Sequence, residues 1–407
     1  MNSITPEQAG FSPARLRRLD AVMQCYVDRG QIAGAIALIA RHGQAVHLEC
    51  FGVRDVEAGQ PMRPDAIFRI ASMAKPITAV AAMVLYEEGL YQLDDPIADY
   101  IPAFRDTPVY VGDMPSGVAV TDRKGEITIR HLLTHTSGIC LGADRGSPLD
   151  ALYYDAVEEL KRTPGVTNQS AVQKLAELPL AFQPGSGWRY GLSFEVLAAL
   201  IEIVSGEWFD VFLKGRIFEP LGMEDTGHIV SGEKVGRLTA LYGAVEGGGL
   251  ELIEAPANSM HVLPPDFEYQ SGTVWLSGGG VVVSTLSDYA RFVQMLLNGG
   301  VLEGTRLLSP KTVELMTANH LPGVLLPFDA GRRGYGHGLG VQVRMDVAQS
   351  GVLGSVGEFT GAGGHGTFFW ADPREDLMGL LMLQLDPNPY PLHKQFQVLT
   401  YQAMEPL

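Results

Sequence analysis

The chain has 407 residues, 46% of them hydrophobic and 19% charged, with 30 basic against 46 acidic side chains. That length can bury a large core and predicts two subdomains. The formal net charge of −16, with no Lys/Arg cluster as a counter-patch, argues against nucleic acid as a partner. No run approaches the roughly 18 apolar residues of a membrane-spanning helix, so no membrane partner is expected. Cys25, Cys50 and Cys140 are widely spaced and odd in number. Reduced thiols in a cytoplasmic setting are the simplest account. Met1-Asn2-Ser3-Ile4-Thr5-Pro6-Glu7 lacks the basic and apolar regions of a signal peptide, in line with that setting.

In chain order, Ser12 to about Arg29 has the apolar period of an amphipathic helix, opened by Ser12-Pro13. Two β-rich runs, Ala33 to Ala40 and Ala45 to Phe51, flank Arg41-His42-Gly43-Gln44 and predict a hairpin. A helix is expected from Ser72 to about Glu88, with Gly89 stopping it. The loop-rich stretch that follows contains helical patterns at Ala151 to Lys161, Asn168 to Leu178, Phe194 to Val204 and Trp208 to Phe218. Strand character returns at Gly338 to Met345, Thr367 to Ala371 and Leu377 to Leu385, before a last helix over His393 to Met404. This order predicts an α/β domain formed by residues 1–101 and 250–407, interrupted by a mainly helical domain at 102–249. The insertion would supply one wall of a cleft.

Ser72-Met73-Ala74-Lys75 places a serine near the start of a helix and a lysine on the same helical face. A partly desolvated lysine can be neutral and can take the proton of a serine hydroxyl. Capping the helix is the simpler role for such a serine. The pattern recurs at Ser231-Gly232-Glu233-Lys234, in a Gly- and charge-rich stretch. His131 and His135 lie four apart, a spacing that suits one metal on a helix, but without the glutamate of H-E-x-x-H or an evident third ligand. Gly361-Ala362-Gly363-Gly364-His365-Gly366 matches G-x-G-x-x-G, with Asp386 twenty residues beyond. It leads into the β segment Thr367-Phe368-Phe369-Trp370 rather than a helix, so dinucleotide binding is not expected. Its glycines instead allow backbone N–H groups to approach a ligand. Tyr190 follows the Gly-rich run Pro184-Gly185-Ser186-Gly187, where a phenol aimed into a cleft and an ordinary packed tyrosine are both open readings. No G-x-S-x-G elbow occurs.

Taken together and in this order, these segments resemble the serine β-lactamase and penicillin-binding-protein superfamily, and within it the class C β-lactamase-like esterases (family VIII carboxylesterases). The resemblance runs from Ile32 to the last helix. It implies a β-lactamase/transpeptidase-like fold: an antiparallel sheet flanked by helices, with a helical insertion domain. Ser72 and Lys75 match the family's S-x-x-K, and Tyr190 matches the tyrosine of its second motif. Gly361-Ala362-Gly363 takes the place of the K-T-G, H-x-G or W-x-G triad on the strand facing the serine. His131 to Gly138 resembles a structural hallmark of the family.

Two departures bear on substrate. The second motif of β-lactamases reads Y-x-N, but here Leu192 stands in the asparagine position. Gly361 supplies no cation where K-T-G would supply lysine. Both changes remove groups that read lactam substrates, and neither touches acyl transfer. The resemblance implies acyl transfer through Ser72, with Lys75 and Tyr190 as a joint general base. The oxyanion would be held by the N–H groups of Ser72 and Gly364. Hydrolysis of small carboxylic esters, with short acyl groups and no cofactor or metal, is the expected activity. Alternatives are amide or lactam hydrolysis, acyl transfer to an alcohol, and a non-catalytic binding module. Leu192, Trp188, Trp275 and the Pro102 to Leu149 stretch are candidate pocket walls.

Overall fold

Gly34–Arg41 and Gln44–Asp55 form the predicted hairpin, closed by His42 and Gly43 at φ of 53° and 71°. Two left-handed residues give a turn whose twist matches the strands it joins. The computed structural model describes residues 1–115, 117–144, 146–262 and 274–405. Its main sheet is antiparallel and eight-stranded. The order runs Tyr335–His337, Gln342–Arg344, Phe359–Ala362, Phe368–Asp372, Leu377–Leu383, Gly34–Arg41, Gln44–Asp55, Gln60–Pro61. The strand Gly34–Arg41 is buried along its whole length because both faces are covered. Ala35, Ala37 and Ile39 pack with Leu16, Leu19 and Phe396 of the first and last helices. Ile36, Leu38 and Ala40 face the opposite way, into the larger core with Phe292 and Val293 of Leu286–Leu297. This is the period-two division of a strand sandwiched between two apolar layers.

The larger core is continuous with the helical stretch, taking in Leu132, Leu149, Leu197 and Phe209. At its centre lies the helix Ala74–Glu87, in which every residue from Ala74 to Leu85 is buried. A helix buried on all sides has no solvent face, so its position is fixed from every direction. Three other expectations meet the structure with changes. Within the run Gly338 to Met345 only Gln342–Arg344 is strand; Gly338 to Val341 is a turn that joins it to a further short strand, Tyr335–His337. Gly340 there adopts φ of 82°, and a Cβ on it would sit 2.5 Å from Ala79 Cβ, so the turn lies directly on the buried helix. Trp208 to Phe218 is a short α-helix, Phe209–Leu213, that continues as a π-turn over Lys214–Phe218. Finally, Ser72 lies not in the α-helix but in the 3-10 turn Ala71–Met73 that precedes it.

Among the described residues no helix is long and apolar enough to cross a membrane. Buried histidines make the fold sensitive to acid. Burial lowers His261 and His337 from 6.5 to about 4, and holds His135 well below its ordinary value. A depressed folded-state value contributes stability above pH 6.5 that is lost as pH falls towards 4, because only the unfolded chain binds those protons in that window. Thermal unfolding followed by circular dichroism should therefore show Tm dropping as pH falls below 6.5. His337→Gln should flatten that slope relative to the parent chain.

Candidate active site

The residue before Ser72, Ala71, has φ of 45°, a left-handed conformation that costs an alanine on the order of 1 kcal/mol. It sharply turns the chain from the strand Ile67–Arg69 into the buried helix. Ile70 N–H donates to Val282 C=O at 2.9 Å, and Thr367 Oγ1 donates to Ile70 C=O at 3.2 Å. The turn that presents Ser72 is thus tied on two sides to segments distant in sequence.

Three side chains converge. Ser72 Oγ lies 2.5 Å from Tyr190 Oη, and Lys75 Nζ donates to Ser72 Oγ at 3.3 Å. Lys75 is 8% exposed, and its Nζ also donates to Gly279 C=O at 2.5 Å. The Lys75 Nζ stands 4.7 Å from the Tyr190 ring centroid and 5.8 Å from that of Phe194. Partial burial against aromatic faces limits water around the amine.

Tyr190 is aligned by the segment whose histidines resembled a metal pair. Arg189 N–H donates to His135 C=O, Leu192 N–H to Cys140 C=O, and the His135 ring lies 4.8 Å from the Tyr190 ring. A Cβ on Gly191 would collide with Ile139 C=O, so glycine there lets the two segments run in contact. Arg189 also pairs with the buried Asp150. His131 instead closes a capping box with Thr128, and among the described residues no cluster of acidic, His or Cys side chains could hold a metal. The paired histidines are scaffold.

The glycine-rich strand faces the serine. Gly361 and Ala362 end the strand Phe359–Ala362, and Gly363 N–H donates to Thr367 C=O at 2.8 Å. A Cβ on Gly363 would collide with Thr367 Oγ1 and Ile70 C=O, the latter two residues before Ser72. Neither the Ser72 N–H nor the Gly364 N–H donates to a protein acceptor among the described residues. The Asp386 carboxylate, which completed an apparent dinucleotide pattern, pairs with His365 at 3.0 Å. The second serine–lysine copy is dismantled: Lys234 Nζ contacts Asp225 at 2.7 Å and Glu224 C=O at 3.1 Å.

Ser72, Lys75 and Tyr190 border two cavities. One of about 930 Å³ is walled by Leu160, Val166, Leu192, Val274, Trp275 and Val281. The other, of about 520 Å³, is bounded by Gly361 to Gly364, Trp188 and His337. The candidate wall residues therefore divide: Leu192 and Trp275 on one side, Trp188 and the glycine strand on the other. Leu141 borders both.

Glu195 is a residue that sequence reasoning passed over. It accepts from the Ser277 hydroxyl at 2.7 Å and from the N–H groups of Gly278 and Gly279 at 3.1 and 3.2 Å. It thereby fixes the loop whose Gly279 carbonyl receives Lys75. Thr78 Oγ1 ties the same loop to the buried helix through Gly278 C=O at 2.6 Å. Burial pushes the Glu195 carboxyl up, offset by the Ser277 hydroxyl and the Lys75 charge. The signal available beforehand was a lone carboxylate in the apolar run Ser193-Phe194-Glu195-Val196-Leu197.

A family model described as beta-lactamase matches residues 19–402. The chain belongs to the beta-lactamase family. Esterase EstB of Burkholderia gladioli is 32% identical over 401 residues, covering 95% of this chain and 94% of that protein. Protein Rv1367c of Mycobacterium tuberculosis (strain ATCC 25618 / H37Rv) is 34% identical over 378 residues, 89% of this chain and 88% of its own. The solved structure of EstCE1, described as a hydrolase with promiscuous acyltransferase activity, aligns with a TM-score of 0.77 at 26% identity. It covers 95% of this chain and 98% of that one. The expected β-lactamase/transpeptidase-like fold and the likeness to family VIII esterases are borne out. At the level these findings reach, this beta-lactamase family member is a serine hydrolase or acyltransferase.

Glu195→Gln cannot accept all three donors, and it removes a charge beside Lys75. Losing a hydrogen bond to a charged group costs about 1.5–3 kcal/mol, so fluorophosphonate labelling of Ser72 should slow about tenfold or more. With the neighbouring negative charge gone, the acid limb of the labelling rate should move to lower pH. An unchanged rate and pH profile in a folded Glu195→Gln protein would remove Glu195 from the site.

Proposed function

We propose that this protein hydrolyses carboxylic esters of small molecules through an acyl-enzyme on Ser72. The observation that carries the reading is the convergence of Tyr190 Oη and Lys75 Nζ on Ser72 Oγ, together with two backbone N–H groups, of Ser72 and Gly364, that have no protein acceptor among the described residues. Ser72 Oγ attacks the ester carbonyl as its proton passes to the Tyr190–Lys75 pair, which acts as one coupled base. The carbonyl electron pair moves to oxygen and is received by the Ser72 and Gly364 N–H groups, each worth about 3 kcal/mol in the transition state. Collapse of that intermediate breaks the carbon–oxygen bond, and the departing alkoxide takes the proton held by the pair. Water then adds to the acyl-enzyme, giving its proton to the same pair. Release of the acid returns that proton to Ser72 Oγ.

Ester rather than lactam substrates are supported by Leu192 and Gly361, which offer neither an amide donor nor a cation. They are supported as well by the likeness to a protein named esterase EstB. Short acyl groups rest on the family resemblance. A cavity of about 930 Å³ is larger than such groups require, so turnover should extend to medium-length chains. The free thiols Cys25, Cys50 and Cys140 fit a cytoplasmic setting. Acyl transfer to an acceptor alcohol is a second reading, favoured by the separate cavities on either side of Ser72.

Ser72→Ala should abolish hydrolysis of p-nitrophenyl butyrate, by at least about a thousandfold. The parent enzyme should hydrolyse nitrocefin far more slowly than the ester. Retained ester turnover in Ser72→Ala, or nitrocefin turnover rivalling the ester, would overturn the proposal.

A further inference from the structure

His337 lines the smaller cavity beside Ser72, is 5% exposed, and is left idle by the acyl-transfer mechanism. Its Nδ1 stands 2.7 Å from Gly338 C=O, and a carbonyl only accepts, so Nδ1 carries the proton. Burial lowers the imidazole to about 4, so at neutral pH the other ring nitrogen is a bare acceptor. That Nε2 has no hydrogen-bond partner among the described residues. Unlike Trp188 Nε1 and His135 Nδ1, it is not sealed beneath the surface. The ring is also held in place. His135, Phe328 and Trp188 surround it at centroid distances of 5.6, 6.0 and 6.0 Å, and its backbone N–H donates to Asn319 Oδ1 at 3.1 Å. An acceptor fixed in this way before a ligand arrives loses little freedom on binding one.

An open acceptor is matched by a donor, and the surroundings restrict which one. Arg332, half-buried, lines the same cavity, so an ammonium donor would enter beside a cation. Asp329 brings the opposite charge, but it is exposed and its Oδ1 already accepts from Gly331 N–H at 2.7 Å. A neutral donor meets neither difficulty. Trp188 and Phe328, with ring centroids 4.6 Å apart, flank the cavity and suit an apolar or aromatic body. One acceptor beside aromatic rings fits a single hydroxyl on such a body. An amide fits less well, because its carbonyl would lose water without gaining a donor.

We propose that His337 Nε2 receives a hydroxyl group carried by the alcohol half of the ester, so that the preferred substrates are monoesters of diols or of hydroxylated phenols. An acyl chain matches the aliphatic walls of the larger cavity, which leaves the smaller one for the alcohol. His337 is in this sense a specificity residue: it reads the alcohol and takes no part in proton transfer at Ser72. The inference rests on the ester-hydrolase reading, and the test separates the two.

The probes are 4-(hydroxymethyl)phenyl butanoate and its near-isostere 4-ethylphenyl butanoate, each rate normalised to its hydroxide-catalysed hydrolysis. The parent enzyme should favour the hydroxymethyl ester about threefold to tenfold in kcat/KM, the size expected of one neutral hydrogen bond. The 4-(methoxymethyl)phenyl ester keeps the oxygen and loses the donor, so it should fall to the level of the ethyl ester. His337→Phe keeps a ring in the aromatic cluster and removes the acceptor, which should bring the hydroxymethyl-to-ethyl ratio to about one. Nitrogen-15 NMR of labelled histidine reads the contact in the parent protein without turnover. There 4-(hydroxymethyl)phenol should shift the His337 Nε2 resonance, and 4-(methoxymethyl)phenol should not. No hydroxymethyl preference in the parent, an equal preference for the methoxymethyl ester, or a preference that survives in folded His337→Phe would overturn the subsite. A preference for phenyl 6-hydroxyhexanoate over phenyl hexanoate, with none on the phenol side, would overturn its assignment to the alcohol. Turnover of the aryl esters that persists in Ser72→Ala would overturn the ester-hydrolase reading instead. If 4-(hydroxymethyl)phenol still shifted His337 Nε2 in that case, the subsite would stand.

Discussion

A primary amine held in a nearly closed site must have a partner, and the site is built around satisfying Lys75. Its Nζ is shared between Ser72 Oγ and the Gly279 carbonyl. That carbonyl is in place because Glu195 gathers the Ser277 hydroxyl and the next two N–H groups, while Thr78 holds Gly278 from the other side. Lys75, Glu195 and Gly279 come from three separate parts of the chain, so the arrangement exists only when the helices Ala74–Glu87 and Ser193–Ser205 are packed together. The proton-transfer geometry and the core are therefore one cooperative object.

Rigidity around Tyr190 has a different origin. The tyrosine sits on an irregular loop, where mobility would be the default. It is fixed because glycines permit contact between loops and because the His135 ring packs on it, itself held by the rings of Trp188 and Phe194. Gly191 allows its segment to touch Ile139, and Gly363 allows the facing turn to touch Ile70. These positions need no side-chain chemistry of their own. They bring backbones close enough for the hydrogen bonds that keep Ser72, Tyr190 and Gly364 in one geometry.

Specificity is then a matter of what borders a fixed machine. Leucine at 192 and glycine at 361 leave apolar or bare surface on either side of the serine. The two cavities diverge from that point, one walled by aliphatic side chains and Trp275, the other by the glycine strand, Trp188 and His337. The same nucleophile could serve many acyl donors; the walls select among them.

Much was legible from the sequence because it was local. The Ser72–Lys75 spacing, the hairpin around His42-Gly43, the buried helix and the glycine-rich turn each follow from neighbouring residues and the periods of helix and strand. The strand expected from Gly338 begins only at Gln342, because the turn before it packs on the buried helix where Gly340 meets Ala79, far away in the chain. His131 and His135 gave a true spacing and no ligand role, since the capping of one and the aromatic packing of the other depend on their surroundings. Glu195 was invisible as a site residue for the same reason. A carboxylate in an apolar helix has no assigned partners until the loop at Ser277 to Gly279 closes over it. The sequence by itself determined which chemistry is available, because reactive groups and turn-forming glycines are properties of residues. Only the tertiary structure decided which of those groups share a site, because partnership between buried charges and dipoles is set by distance, and distance is set by packing.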